Sequence, residues 1–395
     1  MPIRVLVVDD SAFMRRALSG IIESDAELEL VGTAYDGRNF LEKLDQLKPD
    51  VVTLDVEMPN LDGVAALKEL MSSREDPPAV LMCSSLTKEG SRVALEALQH
   101  GAADVIAKPT TAFGLQESPD AKLMLDKIRG LARHKSRFRG RATQRRAPAP
   151  PAAGSQAAAP IAKRPVRTFA DVASLRPRDV GCVVVGSSTG GPPALELMLK
   201  ELPADLSAPI VVAQHMPPMF TQSLASRLDA LTSLTVVHAE TGMPLLPGTV
   251  YIGQGGKHVR IARVGAGRCR IETTEVPQEA LYKPSVNVLF ETASEVYGQR
   301  VLGVMLTGMG EDGLEGSRRL VDAGGTLIGQ DEESSVVYGM PRAVHDAGLT
   351  TAQFAPAEVG RAVRHIVRGQ QAAPAQARPT TQTGAGPASP RGSAA

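Results

Sequence analysis

The chain has 395 residues, 43 basic and 43 acidic side chains, and no formal net charge. That neutrality gives no electrostatic reason to expect a nucleic-acid partner. Hydrophobic residues at 43% and charged ones at 22% describe ordinary globular protein, long enough for two domains with their own cores.

The N-terminus lacks the basic and apolar regions of a secretion signal, and no apolar run reaches about 18 residues, so a cytoplasmic protein without membrane insertion is expected. Cys83, Cys182 and Cys269 are widely spaced and form no CxxC, which argues against a disulfide framework or a zinc knuckle. Cys83 and Cys182 lie in apolar runs and read as buried small hydrophobes.

Residues 1–132 alternate short apolar runs with amphipathic stretches. Ile3–Val8 reads as a buried strand. Phe13/Met14, Ala17/Leu18 and Ile21/Ile22 then recur every four residues, a helix stripe facing the core. Strand-like runs follow at 29–33, 51–54, 79–83 and 104–107, with helix-like stretches between them. Five strands alternating with helices predict a doubly wound parallel sheet, whose ligands bind beyond the carboxyl ends of the strands.

Asp9 and Asp10 follow the first strand, Asp55 ends the third, Ser84 the fourth and Lys108 the fifth. Three converging carboxylates repel one another unless a cation joins them, and hard oxygen ligands suit Mg²⁺. A metal there offsets charge while the Asp55 carboxylate attacks a phosphoryl group, with the Ser84 hydroxyl and the Lys108 ammonium holding its oxygens. Taken singly, each of these residues is as well explained by a cap or turn. Ser85, next to Ser84, is an alternative for the hydroxyl.

Residues 133–179 are rich in Arg, Ala and Pro and bury too little apolar surface to offset their ordering entropy. They are expected to be a disordered linker, and 370–395 a disordered tail. A basic linker can touch an acidic partner, but a solvated spacer is the simpler reading.

The third region, 180–369, is again α/β. Strand-like runs lie at 182–185, 210–213, 249–253 and 301–306, and helix-like stretches at 195–202, 220–231, 286–296 and 314–323. Gly186-Ser187-Ser188-Thr189-Gly190 matches G-x-S-x-G between an apolar strand and a helix opened by Pro192 and Pro193, the context of a nucleophile elbow. The helix N-terminus supplies free N–H groups, that of Thr189 among them, suited to an oxyanion.

A dinucleotide loop is the rival reading, but the next strand ends Gln214-His215 where a ribose-binding acid is needed. The loop Leu306–Gly313, with Met309 and Asp312, follows another apolar strand. A lone histidine in such a place is more often structural than catalytic. A nucleophile, a base and an acid converging on one sheet edge nevertheless form what a triad requires: Ser188 attacks, His215 takes its proton, and Asp312 fixes the imidazole.

The first block, through Val8-Asp9-Asp10-Ser11, Leu54-Asp55, Cys83-Ser84-Ser85 and Ala107-Lys108-Pro109, resembles the receiver domain of response regulators. That resemblance implies a flavodoxin-like fold, Asp55 as phosphoacceptor and a histidine kinase as donor. The third region resembles the catalytic domain of the protein-glutamate methylesterases of bacterial chemotaxis. The matching stretches are Gly186–Gly191, Gln214–Pro218, Lys283–Phe290, Leu306–Gly313 and Tyr338–Arg342.

The second resemblance implies a Rossmann-like domain that demethylates chemoreceptors by Ser188, His215 and Asp312. It also implies an oxyanion hole shared with the Met309 backbone, deamidation of receptor glutamines, no cofactor for the esterase reaction, and a receiver that covers the cleft until phosphorylated. Ser187 departs from the family's usual Ala and is a competing nucleophile, although elbow spacing puts Ser188 at the apex. The rest of the domain reads as scaffold. A DNA-binding response regulator is disfavoured by the absence of a basic helix, and a catalytically dead adaptor by the intact Ser188, His215 and Asp312.

Overall fold

The structure, a computed structural model, describes residues 1–85, 87–108, 118–133, 179–265 and 267–368. The expected linker, apart from its terminal residues, and the expected tail lie outside the described residues.

The N-terminal unit runs β1 (Ile3–Val8), α1 (Ala12–Glu23), β2 (Leu28–Ala34), α2 (Gly37–Leu47), β3 (Val51–Asp55), α3 (Gly63–Ser73), β4 (Ala79–Ser84), α4 (Lys88–Gln99), β5 (Asp104–Ala107) and α5 (Pro119–Arg133). All its strand pairs are parallel, in the order β2-β1-β3-β4-β5. This is the flavodoxin-like order, with the switch point between β1 and β3. β3 and β4 are buried at every residue, as strands covered by helices on both faces must be. Asp36, Asp62 and Thr87 cap α2, α3 and α4 by accepting from the backbone N–H three residues on.

One expectation needs correcting. Phe13, the first member of the α1 stripe, is 61% exposed, whereas Leu18, Ile21 and Ile22 are buried. Met14 and Ala17 are half-buried against the same core cluster, so Phe13 alone of the stripe lies off the face that α1 buries.

The second unit opens with β6 (Cys182–Ser187), α6 (Gly191–Leu199), β7 (Ile210–Gln214), α7 (Pro218–Leu231), β8 (Thr235–His238) and β9 (Thr249–Ile252). An antiparallel hairpin of β10 (His258–Val264) and β11 (Arg268–Thr274) follows. The chain continues through α8 (Val286–Tyr297), β12 (Val301–Met305), α9 (Leu314–Asp322), β13 (Thr326–Gln330), α10 (Met340–Asp346), β14 (Ala352–Phe354) and α11 (Pro356–Arg368). Its main sheet, β14-β13-β12-β6-β7-β9-β8, is parallel throughout. The order reverses at β6, between β12 and β7, so loops leaving β6 and β12 open a crevice there.

The two units pack together. Leu95, Leu98 and Gln99 of α4 line a narrow cleft with Pro192, Pro193 and Leu224 of α6 and α7. Gln99 Nε2 reaches Glu196 Oε2 at 3.1 Å. Val336 and Val337 join the apolar cluster of α5 residues Ile128 and Leu131. A Cβ on Gly130 of α5 would lie 2.5 Å from Met309 Sδ, so the methionine seats where that glycine leaves room.

Candidate active site

Ser188 follows β6 directly. Its backbone N–H donates to Thr307 O at 3.0 Å, and its carbonyl accepts from Gly191 N at 2.8 Å, closing a tight strand-to-helix turn. Gly190 in this turn has φ +76°, the left-handed region that favours glycine, and a Cβ there would lie 2.5 Å from Val336 Cβ. The adjacent Ser187 is spent on structure: its Oγ donates to Gln214 Oε1 at 2.6 Å, and Gln214 Nε2 donates to Ser188 O at 2.9 Å. β6 and β7 pair Ser187 with Gln214, which sets His215 beside the turn, its N–H on Ser187 O at 3.0 Å.

His215 Nε2 lies 2.8 Å from Asp312 Oδ2, in the loop after β12. Burial raises the Asp312 pKa, but the hydrogen bond and charge of His215 and the backbone N–H groups of Val286 and Asn287 outweigh it and hold the carboxyl below its ordinary value. An ionised Asp312 accepts, so Nε2 carries the ring proton. His215 Nδ1 is buried with no hydrogen-bond partner among the described residues, and no hydrogen bond yet joins it to Ser188 Oγ. Its lone pair is therefore the one available to take a proton.

The segment read as scaffold in the sequence proves to be the cradle of this carboxylate. Ser285 Oγ donates to Asp312 Oδ1 at 2.9 Å, Asn287 N to Oδ1 at 3.2 Å and Val286 N to Oδ2 at 2.7 Å. Asp312 thus sits on the N-terminus of α8, where free N–H groups and the helix dipole favour an anion. Asn287 Oδ1 accepts from Gly313 N and Gly316 N at 3.1 and 2.8 Å, fastening α8 to the end of the loop and the start of α9. His258 stands one step behind: its Nδ1 accepts from Ser285 N at 3.1 Å, and burial pushes its pKa down.

Ser188 and His215 are both buried, at 5% and 7% exposure. The backbone N–H groups of Thr189 and Met309 donate to no carbonyl among the described residues, as donors kept for an oxyanion would be. Beside Asp312 opens a cavity of about 380 Å³ lined by Leu281, Tyr282, Ser285, Asn287, Glu311 and Leu314 among others.

In the N-terminal unit, carboxylate oxygens of Asp9, Asp10 and Asp55 lie within 4.8 Å of one another. Lys108 Nζ bridges Asp9 Oδ2 at 2.8 Å and Asp55 Oδ2 at 2.6 Å. Burial, reinforced by Asp9 and opposed by Lys108, pushes the Asp55 pKa up to about 6. The ion pairs outweigh burial at Lys108 and raise its pKa. Three carboxylate oxygens this close together are the hard donors that suit a divalent ion. Ser84 is buried at the end of β4, and Ser85 follows it. A Cβ on Gly90 would lie 2.7 Å from either hydroxyl, so both face the first turn of α4. Among the described residues no helix is long and apolar enough to cross a membrane.

The family model for the CheB methylesterase matches residues 183–363, and that for the response regulator receiver domain matches residues 5–118. The chain is 44% identical over 371 residues to a protein of Oleidesulfovibrio alaskensis named protein-glutamate methylesterase/protein-glutamine glutaminase 1, covering 92% of this chain and 99% of the other. A second protein, of Nitratidesulfovibrio vulgaris and named protein-glutamate methylesterase/protein-glutamine glutaminase 2, is 46% identical over 354 residues, covering 88% and 94%. The crystal structure of the Thermotoga maritima CheB methylesterase catalytic domain is 38% identical, covers 48% of this chain and 99% of that one, and has a TM-score of 0.46.

Proposed function

The chain belongs to the protein-glutamate methylesterase/protein-glutamine glutaminase family, with a receiver domain ahead of its CheB methylesterase domain, and from that premise we propose that it demethylates glutamyl esters of chemoreceptors in the cytoplasm and deamidates receptor glutamines. The observation that carries the reading is the hydrogen bond of His215 Nε2 to Asp312, which leaves Nδ1 unpartnered beside the Ser188 turn.

Ser188 Oγ attacks the ester carbonyl while His215 Nδ1 takes its proton. The backbone N–H groups of Thr189 and Met309 receive the developing oxyanion. The imidazolium then protonates the departing methoxide, and methanol leaves. In the second half His215 draws a proton from water, which attacks the acyl-enzyme and frees glutamate and Ser188. A glutamine amide follows the same course and releases ammonia. The esterase residues themselves supply the nucleophile, base and oxyanion donors, so no cofactor is assigned to this half.

The receiver is the gate. Asp55 accepts the phosphoryl group of a histidine kinase, and Lys108 and Ser84 receive its oxygens. Asp9, Asp10 and Asp55 would hold Mg²⁺, which offsets the negative charge of the transferring group when bound. Phosphorylation acts by favouring the arrangement in which the receiver no longer packs on the esterase. We assign residues 1–132 to the receiver and 180–369 to the esterase.

Methanol release from methylated receptor membranes tests this, with and without a small phosphodonor plus Mg²⁺. Release that requires Ser188, rises with phosphodonor and loses that rise in Asp55→Ala is the expected outcome. If the phosphorylated wild type releases none, the esterase reading fails.

A further inference from the structure

We propose that Tyr282 is a positioning residue for the reaction: its ring sets the plane of the His215 imidazole and so aims Nδ1 at Ser188. The inference rests on the hydrolase reading above. The two rings lie face to face, centroids 4.2 Å apart and 13° from parallel.

Among the described residues a single hydrogen bond, Nε2 to Asp312, holds the imidazole. Nothing among the described residues holds Nδ1. A ring pinned at its far edge and at Cβ still turns about the line joining those points. That turn leaves the Asp312 bond nearly intact while swinging Nδ1 away from the nucleophile. A flat face stacked on the imidazole blocks it. Asp312 therefore fixes which nitrogen is basic, and Tyr282 fixes where that nitrogen points. When His215 takes the Ser188 proton, the same aromatic face also attracts the imidazolium.

The phenol hydroxyl donates to nothing among the described residues, so the ring alone performs this task and phenylalanine should replace it. Tyr282 also lines a second cleft with Asp126, Arg129 and Arg133 of α5, so the receiver borders the residue that orients the base.

The test compares Tyr282→Leu and Tyr282→Phe in the full chain, phosphorylated with a small phosphodonor and Mg²⁺, on methylated receptor membranes and on p-nitrophenyl acetate, an activated ester that makes no receptor contact. We expect Tyr282→Leu to lower kcat by about tenfold or more on both substrates with KM nearly unchanged, and Tyr282→Phe to restore both. A rise in KM for receptors alone makes Tyr282 a receptor contact and overturns the proposal, as does equal damage from Tyr282→Phe.

¹⁵N spectra of His215 give a readout independent of turnover. The Nε2–H tautomer, which Asp312 sets, is expected in all three, with sharp ring signals in the wild type and Tyr282→Phe and signals broadened by reorientation of the imidazole in Tyr282→Leu. An unchanged signal in Tyr282→Leu sinks the proposal even if the enzyme proves inactive on every ester, whereas a changed signal without turnover would fault only the hydrolase reading.

Discussion

Thr189, the residue after the candidate nucleophile, donates its hydroxyl to Asp104 Oδ2 of β5 at 2.6 Å. Asp104 is also ion-paired with Lys127 of α5, and all three side chains are buried. The bond ties the elbow of the esterase to the receiver's last strand, and a hydrogen bond to a charged group contributes about 1.5–3 kcal/mol. Thr189→Val keeps the backbone N–H but loses this tie. Methanol release without phosphodonor should rise roughly tenfold or more, while the phosphorylated rate stays near that of the wild type. An unchanged basal rate means that the bond does not hold the closed state.

Gly130 offers a second handle on the same interface. A larger side chain there meets Met309, which carries one of the proposed oxyanion donors. Gly130→Leu should loosen the docking of α5 and raise basal activity, and protease sensitivity of the chain should increase in step. Tighter inhibition in this variant would contradict the packing.

Asp312→Asn should be nearly inactive. Each Asp312 oxygen accepts from a backbone N–H: Oδ2 from Val286 and Oδ1 from Asn287. Whichever way an asparagine turns, its NH₂ faces one of these donors, and one orientation also forces the wrong imidazole tautomer. A fall in kcat of about 10⁴ is expected by analogy with hydrolase triads. Ser285→Ala, which removes one of the donors, should cost much less, roughly tenfold, and steady-state methanol release separates the two.

The receiver has a pH dependence whose sign is fixed by Asp55. Its pKa rises from the ordinary 3.8 to about 6 on folding. Between those values the folded state binds a proton that the unfolded chain does not, so this contribution to stability is complete below the unfolded pKa and is lost as pH rises through about 6. In EDTA, Asp55→Asn should melt above the wild type at pH 7.5, and the gap should close near pH 4. Mg²⁺ affinity, followed by calorimetry, should fall as pH drops through about 6, because the proton competes for the same carboxylate.

Ser187 and Ser188 should separate cleanly. Ser188→Ala removes turnover. Ser187→Ala keeps it but strands the buried Gln214 Oε1, at about 1–3 kcal/mol of stability. Calorimetry should record a lower Tm beside normal methanol release. Full activity in Ser188→Ala would reverse the assignment.

Much of this was legible in the chain itself. Local apolar runs reveal buried parallel strands, and the residue ending or following each run is placed at the carboxyl edge, so Asp9, Asp55, Lys108 and Ser188 could be located by counting. The family resemblance was equally legible, because Gly186–Gly191 and Leu306–Gly313 pair an elbow with an acidic loop in a fixed order. The weaker elements were not: β8 and β14 span only four and three residues, and the seven-residue strands β10 and β11 show no strict alternation of buried and exposed positions. Their pairing comes from non-local partners and leaves little periodicity.

Only the tertiary structure decided the chemistry around the carboxylate and the ring. Ser285, Val286 and Asn287 stand 25 to 27 residues before Asp312, and no local pattern says that a helix N-terminus will receive that acid. The choice of Nε2 for Asp312, the stacking of Tyr282 on His215, and the Thr189–Asp104 bond across 85 residues are likewise angles and distances between separate elements. Sequence determines which side chains reach a sheet edge, because strand period and length are local. It does not determine how they face one another, because that depends on packing between elements far apart in the chain.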